Sequence, residues 1–387
     1  MQSNYKRLGE YIREVNIRNK DLNDYPLLGV SIQKVLMPSI ANIIGTDMST
    51  YKLIKKNQFA YGPVTSRNGD KISIALADKY ENALLSQAYT VFEVIDENEL
   101  HPEYLMMWFK RPEFDRYARF MSHGSAREIF SWAEMCDTLL PIPSPEKQLE
   151  IVREYNVIQN RIKLNNQLIA KLEETAQTIY KQWFVDFEFP NENGLPYKSN
   201  GGEMVDSELG EIPKGWGYGV VGDLFTFQRG HDLPSQNRKN GKYPIIASTG
   251  IAAFHNEYKI NKPTIITGRS GSLGELFFFD QPCWPLNTTL YIVKFKNSKP
   301  SHALYLLQTI NLKEMGAGSA VPTLNRNDIH ALGTVIPTMY IIELFEINIK
   351  NIYSLKENYN NQKQRLLELK EIILSKMTKI EMEKELA

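Results

Sequence analysis

The chain has few of the residues that build disulfide frameworks or membrane spans. Its 387 residues include two cysteines, Cys136 and Cys283, which argues against a disulfide scaffold or a zinc site and for a reducing compartment. No run of about 18 apolar residues occurs, and the first residues lack the apolar core of a signal peptide. The sequence therefore predicts a cytoplasmic protein that does not span a membrane.

Signatures of catalysis are also missing from the sequence. The glycine-rich segment at residues 268–274 lacks the Gly-Lys-Ser/Thr ending of a phosphate-binding loop. We find no HExxH, CxxC or GxSxG pattern, no histidines at metal-ligand spacing, and no Asn/Asp-Pro-Pro-aromatic motif of an amino-methyltransferase. The joint absence of several reaction classes favours a binding role.

Charge is uneven along the chain although its formal total is zero. Residues 214–335 carry 13 Lys and Arg against 7 Asp and Glu, a net charge of +6. Residues 141–213 carry 7 against 12, a net charge of −5, and residues 1–140 carry 17 against 18. A basic segment attracts phosphate, although neutral totals are also common in proteins that never touch DNA.

The strongest signal in the sequence is an internal repeat. Met121-Ser-His-Gly-Ser-Ala126 recurs as Met315-Gly-Ala-Gly-Ser-Ala320, and Leu140-Pro-Ile-Pro143 matches Thr334-Val-Ile-Pro337 at the same offset of 194. Earlier matches keep the same order; they are Leu8-Gly-Glu-Tyr-Ile12 with Val221-Gly-Asp-Leu-Phe225, Tyr25-Pro-Leu-Leu28 with Tyr243-Pro-Ile-Ile246, and Arg67-Asn-Gly69 with Arg269-Ser-Gly271. An ordered series of this kind predicts two similar modules.

Each repeat joins a turn-rich globular head to a long helix. Gly and Pro bound short predicted strands at residues 72–77, 89–95, 244–247, 264–267, 275–279 and 289–295, and short helices are predicted at 102–110 and 302–310. The predicted fold class is α/β (α+β) and multidomain, with two similar heads separated by two long antiparallel coiled-coil helices in a pseudo-twofold repeat. The predicted bounds are 1–144 for the first head, 145–189 for the first long helix, 190–213 for a linker, 214–337 for the second head and 338–387 for the second long helix.

Both long helices carry a heptad seam of mostly apolar residues. The seam of the first helix is predicted at Ile151, Tyr155, Ile158, Ile162, Asn165, Ile169, Leu172, Ala176 and Ile179. The seam of the second is predicted at Phe345, Asn348, Ile352, Leu355, Tyr359, Gln362, Leu366, Leu369 and Ile373. We predict that Asn165 and Gln362 share a polar layer that sets the register, because a buried amide needs a partner. The alternative is that one or both amides point to solvent.

Polar loops of the two heads carry the candidate DNA-binding residues. Arg can read guanine, Asn or Gln can read adenine, and small residues let a backbone approach phosphate. The candidates are Ser66, Arg67, Lys71, Ser125 and Arg127 in the first head, and Gln228, Arg229, His231, Thr249, Arg269, Ser270, Ser319, Asn325 and Arg326 in the second. The alternative is that the glycines only make turns and the arginines are solvated. The aromatic run at residues 183–189 is predicted to pack a helix end against a head rather than to stack on bases.

The order head, long helix, head, long helix resembles the specificity subunit of type I restriction-modification systems. The resemblance covers essentially the whole chain. It rests on Pro141-Ile-Pro143 with Glu146-Lys-Gln148, Trp183-Phe-Val-Asp-Phe-Glu-Phe189, Leu209-Gly-Glu-Ile-Pro-Lys-Gly-Trp216, Ile265-Ile-Thr-Gly-Arg-Ser-Gly-Ser-Leu-Gly274 and Asn287-Thr-Thr-Leu-Tyr291. The second long helix departs from the pattern, because Pro337-Thr-Met-Tyr340 lacks the opening that the first one has.

The resemblance implies that each head reads one half of a split double-stranded DNA target and that the helices fix the half-site spacing. It implies docking of two methylation subunits and of restriction subunits. It also implies that this chain is not an enzyme and binds no cofactor or metal, with S-adenosylmethionine, ATP and magnesium on the partner subunits. The alternatives are a non-catalytic adaptor whose heads bind protein, and a nuclease or methyltransferase with an unrecognised site.

Overall fold

The computed structural model describes residues 5–41, 44–66, 68–69, 71–123, 128–316 and 322–378. The chain forms two compact units, which are Met1–Asn165 with Asn361–Ala387, and Asn166–Asn360. Each unit contains one head and one part of each long helix.

The first head is built from two four-stranded sheets and three short helices. Its elements are β1 (Tyr5–Arg7), β2 (Ile12–Val15), β3 (Leu27–Val30), β4 (Leu36–Pro38), β5 (Lys52–Lys55), β6 (Phe59–Tyr61), β7 (Ile74–Leu76), β8 (Asn82–Leu85), β9 (Thr90–Val94), α1 (Pro102–Lys110), α2 (Pro112–Phe120), α3 (Trp132–Asp137) and β10 (Leu139–Pro141). The sheets have the strand orders β2-β9-β6-β7 and β4-β3-β8-β5, and β1 pairs with β10. Both α1 and α2 begin at a proline, whose fixed φ and missing N–H suit the first turn of a helix.

The first long helix, α4 (Pro145–Phe184), follows the first head and leads to a two-stranded hairpin. The hairpin consists of β11 (Met204–Ser207) and β12 (Gly210–Pro213), with Gly210 in the left-handed region at φ +92°. α4 ends five residues before the predicted bound of 189, and the predicted linker at 190–213 contains this hairpin. The aromatic run at the end of α4 packs as predicted, since Trp183, Phe184 and Phe189 are buried in one core cluster with Trp216 and Tyr305.

The second head has its own pair of sheets and is followed by the second long helix. Its elements are β13 (Gly217–Val220), α5 (Val221–Leu224), β14 (Phe225–Arg229), β15 (Tyr243–Ala247), β16 (Gly250–His255), β17 (Thr264–Gly268), β18 (Leu276–Phe279), β19 (Trp284–Pro285), β20 (Thr289–Phe295), α6 (Pro300–Thr309), α7 (Leu312–Met315), α8 (Arg326–His330) and β21 (Gly333–Ile336). The long helix is α9 (Met339–Lys376). The sheets have the orders β14-β20-β17-β18 and β16-β15-β19, and β13 pairs with β21.

The two heads share the strand order of both sheets, apart from the additional strand β5 of the first head, which confirms the predicted internal repeat. The order β14-β20-β17-β18 reproduces β2-β9-β6-β7, and β15 runs parallel to β19 as β3 runs parallel to β8. A glycine recurs at the same packing point. A Cβ on Gly9 would lie 2.8 Å from the Cβ of Cys136 in α3, and one on Gly222 would lie 3.3 Å from the Cβ of His330 in α8. Both glycines therefore let a short helix approach the backbone closely.

Within each unit the two long helices pack antiparallel, as predicted. In the first unit, Arg161 of α4 donates a hydrogen bond to Gln362 of α9 at 3.5 Å. Tyr155, which precedes Arg161 on α4, interacts electrostatically with Glu371, which follows Gln362 on α9. In the second unit, Glu173 forms an ion pair with Lys356, and the ring of Tyr180 lies 5.9 Å from that of Phe345. In both units a later position on α4 therefore meets an earlier position on α9.

The predicted seam of α9 is wrong at every second position. Asn348, Leu355, Gln362 and Leu369 are exposed. The residues one position later, Ile349, Lys356, Lys363 and Lys370, are buried or half-buried. The observed seam therefore runs from Phe345 in alternating steps of four and three residues. At three of its positions the seam residue is a lysine, one position after the residue that was predicted. Long lysine side chains can cover apolar surface with their methylene groups, which hides such positions from a hydrophobicity pattern.

The predicted polar layer of Asn165 and Gln362 is not formed. Asn165 is fully buried, at 0% exposure, but neither its Oδ1 nor its Nδ2 has a hydrogen-bond partner in the described part of the chain. Gln362 is exposed and accepts its hydrogen bond from Arg161. The cause is the seam register, which leaves Gln362 exposed and the next residue, Lys363, half-buried.

Candidate nucleic-acid interface

In the second head, several of the predicted binding segments are hydrogen-bonded to one short connection. This connection, residues 285–289, joins β19 to β20. Its carbonyls accept hydrogen bonds from the His231 N–H at Pro285 (2.8 Å), from the Arg229 Nε at Asn287 (3.2 Å) and from the Arg269 N–H at Thr288 (2.8 Å). The Leu286 N–H in turn donates to the carbonyl of Ile246 in β15. We call residues 285–289 the hub, because loops distant in sequence meet there.

The side chains beside the hub are polar and partly aromatic. The Nε2 of His231 lies 3.2 Å from the hydroxyl of Tyr291, and Asn287 donates to Asp232 at 2.7 Å. The Nζ of Lys259 lies 4.7 Å from the centre of the Trp284 ring. Burial, with a smaller contribution from Lys259, lowers the pKa of His231, so its imidazole is neutral at pH 7. His231 therefore offers a hydrogen-bonding ring rather than a positive charge.

The glycine-rich loop after β17 is held on two sides, which fixes the backbone of Arg269. A Cβ on Gly268 would lie 1.8 Å from the carbonyl oxygen of Ser272, so only glycine fits this tight turn. Arg269 donates its N–H to the hub and accepts at its carbonyl from the N–H of Leu324 (2.8 Å). Ser270 pairs with Thr323 in an isolated bridge. The Arg269 side chain is half-buried at this rigid corner.

The other predicted residues of the second head are placed unequally. Thr249 is exposed in the turn between β15 and β16, and Gln228 is half-buried in β14 next to Arg229. Asn325 caps α8, because its side chain accepts the Asn327 N–H at 3.0 Å, so its carboxamide already has a structural role. Arg326 is exposed on the same helix. Ser319 lies outside the described residues.

The first head presents the corresponding loop between β6 and β7. Thr65 donates its N–H to Glu128 (3.0 Å), Phe130 donates its N–H to Pro63 (2.9 Å), and Val64 forms a bridge with Ile129. Ser66 and Lys71 are exposed in this loop, as a binding role requires. The predicted residues Arg67, Ser125 and Arg127 lie outside the described residues.

The backbone contacts correct one match between the two repeats. The bond from Leu324 to Arg269 in the second head corresponds to the bond from Phe130 to Pro63 in the first. Residues 130 and 324 differ by 194, which is the offset of the neighbouring repeat segments. The structural counterpart of Arg269 is therefore Pro63, and Arg67 follows four residues later in the loop.

A buried ion pair supports the loop of the first head, and the sequence pattern did not reveal it. The Nζ of Lys34 lies 2.8 Å from Asp115 Oδ1, and the side chains are 6% and 11% exposed. The same Oδ1 accepts the backbone N–H of Ile72 at 3.1 Å, directly after the loop. Lys34 also donates to the carbonyl of Phe109 and adopts a left-handed φ of +63° at its hairpin tip. A contact between residues so far apart in the chain leaves no pattern in the sequence.

The fold and its loops define a protein with two similar recognition modules on a pair of long helices. Within the described ranges, no group of three or more His, Cys, Asp or Glu side chains is arranged to hold a metal ion. Among the described helices, none has the length and apolar content that a bilayer span requires.

Comparison with known proteins places the chain in a family. The sequence profile of the type I restriction modification DNA specificity domain matches residues 13–174 and again residues 213–371. The chain therefore belongs to this family, with one copy of the domain in each repeat. The chain is 27% identical over 303 residues to the type I restriction enzyme MjaIX specificity subunit of Methanocaldococcus jannaschii, covering 72% of this chain and 68% of that protein. It is 22% identical over 453 residues to the HindI specificity subunit of Haemophilus influenzae, covering 96% and 97%.

Solved structures show the same fold. The S subunit of a type I restriction-modification system from M. genitalium aligns over 97% of this chain and 95% of its own, with a TM-score of 0.61 and 15% identity. A chain from a study of complex assembly and conformational transition of the type I R-M system aligns over 97% of both chains, with a TM-score of 0.51 and 16% identity.

Proposed function

We propose that this specificity-domain protein reads a bipartite, asymmetric DNA target, with each head recognising one half-site. The observation that carries the proposal is the repeated loop arrangement, in which the β17–β18 loop and the β6–β7 loop occupy the same place in two otherwise different heads. The heads share a strand order but differ in the side chains of these loops, as the half-buried Arg269 and Pro63 illustrate. Different side chains at one position predict different half-sites and hence a non-palindromic target.

We further propose that the chain works as the non-catalytic component of a complex. Two methylation subunits would dock on it and carry S-adenosylmethionine, and restriction subunits would bring ATP and magnesium. The long helices would set the half-site spacing, because a stiff spacer makes the separation a geometric quantity. A cytoplasmic location agrees with DNA as target and with two free cysteines.

Methylome sequencing of cells that express this chain with its methylation partner tests the proposal. The expected result is methylation at a split site with two unlike halves. Arg269→Ala should relax the sequence requirement in one half and leave the other half unchanged, because the first head serves as an internal control in the same chain. Changes in both halves, or a continuous palindromic site, would contradict the two-headed assignment. Turnover by the purified chain with DNA, magnesium and S-adenosylmethionine would contradict the non-catalytic one.

A further inference from the structure

We propose that the second head supplies most of the salt-dependent affinity for DNA, whereas the first head adds little phosphate binding of its own. The inference rests on the proposed DNA-reading function and goes beyond it by dividing the binding energy unequally between the heads.

The first head neutralises many of its cations internally. Ion pairs with carboxylates of the same head engage Arg7, Arg13, Lys34, Lys56, Arg111, Arg116 and Arg119. Among them, Arg119 pairs with Glu128, which also anchors the β6–β7 loop through its backbone. With 17 basic and 18 acidic residues in 1–140, this head has no net positive charge to offer a phosphate backbone.

Among its described residues, the second head forms no ion pair between a cation and a carboxylate of its own. In the described part of residues 214–335, the ion pairs engage Lys214 and Lys299, and both acidic partners lie outside that segment, at Glu203 and Glu343. The side chains of Arg229, Lys259 and Arg269 have no carboxylate within ion-pair distance among the described residues. The segment retains its net charge of +6.

The unpaired cations gather where DNA is proposed to bind. The side-chain Nε of Arg229 and the backbone N–H of Arg269 donate to the hub, and the Nζ of Lys259 lies over Trp284 at its edge. At the position of Arg269 the first head carries the uncharged Pro63. One cation near the hub therefore has no counterpart at the same loop position of the first head, whose loop carries Lys71 further along.

Counterion release turns this difference into a measurable salt dependence. Each phosphate neutralised by a protein cation adds about 0.9 to the slope of log affinity against log salt concentration. Removing three such contacts should reduce the loss of affinity between about 50 and about 200 mM salt by roughly 40-fold.

The test compares two matched triple variants of the full-length chain, alone and co-purified with its methylation subunit. One variant is Arg229→Gln, Lys259→Gln and Arg269→Gln. The matched variant of the first head, used as the control, is Lys55→Gln, Lys71→Gln and Lys79→Gln. It removes three exposed lysines, among them the candidate DNA contact Lys71, that also lack ion pairs in the described chain. Anisotropy titrations with a labelled random-sequence duplex at several salt concentrations give the slopes, and circular dichroism confirms folding.

The slope of log affinity against log salt concentration should fall by about two to three units in the second-head variant and by less than about one in the control. Equal losses, or a larger loss in the control, would overturn the inference while leaving DNA binding intact. A wild-type chain that binds no duplex in either preparation, at low salt, would instead contradict the proposed function itself.

Discussion

Replacing the buried amide of Asn165 should stabilise the protein. Asn165 is 0% exposed in α4, and both polar atoms of its side chain lack a hydrogen-bond partner among the described residues. A buried polar group without a partner costs about 1–3 kcal/mol, because it has given up its hydrogen bonds to water. Asn165→Leu removes that penalty and places an apolar side chain in the helix seam, where a heptad pattern favours leucine.

The expected gain is about 1–3 kcal/mol in the free energy of unfolding, since overpacking by the larger side chain offsets part of the added burial. Urea unfolding followed by circular dichroism measures the change. Asn166→Leu is the matched control, because this neighbour is exposed in the same helix and reports only the difference in helix propensity, at most about 0.7 kcal/mol. If Asn165→Leu were less stable than Asn166→Leu, the amide would have to make a hydrogen bond that the helices need, and the reasoning would fail.

Three further predictions address the spacer, the first head and the second unit. Inserting one heptad after Asn165 and another after Asn360 should lengthen the half-site spacing by about 10 Å, or about three base pairs, without altering the half-sites; methylome sequencing checks this, and changed half-sites with unchanged spacing would refute it. Lys34→Met should cost about 3 kcal/mol in urea unfolding, because it leaves Asp115 buried and unpaired, whereas adding Asp115→Leu should recover part of the loss; no recovery would show that the pair is not coupled. Burial lowers the pKa of His302 from 6.5 to about 3. Below pH 6.5 the His302 imidazole therefore binds a proton in the unfolded chain but not in the native chain. Stability should therefore fall by about 2 kcal/mol between pH 6.5 and about pH 5, and parallel pH profiles for wild type and His302→Asn would contradict this.

Much of the fold could be predicted because its signals are local. The strand at residues 289–295 and the helix at residues 102–110 have the predicted bounds, since Gly and Pro punctuate them and their apolar patterns are regular. Short edge strands such as β4 and β16 were not predicted, because three to six residues with exposed side chains leave no periodic pattern.

The α9 seam shows a second limit of sequence reasoning. Leu355 and Leu369 fit an apolar heptad but are exposed at 47% and 48%, while Lys356 faces Glu173 inside the second unit. A hydrophobicity pattern does not indicate that a lysine side chain will form an ion pair with a carboxylate on the neighbouring helix. The predicted partner of Asn165 was wrong for the same reason.

The candidate site could be predicted by position more readily than by role. Arg229 is the last residue of β14, and His231, Arg269 and Ser270 lie in loops; the structure brings all four positions to the hub. The support of Lys34 for the first head was not predicted, because it joins residues far apart in the chain. The local use of Asn325 as a helix cap was likewise not distinguished from a binding role.

The strand pair that closes each head has a consequence for how such proteins change. β1 pairs with β10 from Tyr5 opposite Pro141, and β13 pairs with β21 from Gly217 opposite Ile336, so the backbone enters and leaves each head side by side. The part of each head that lies between the paired strands is therefore connected to the rest of the chain at this strand pair. A different head could therefore be exchanged at this strand pair while the long helix after it keeps its sequence, so the residues of the head and those of the helix can change independently.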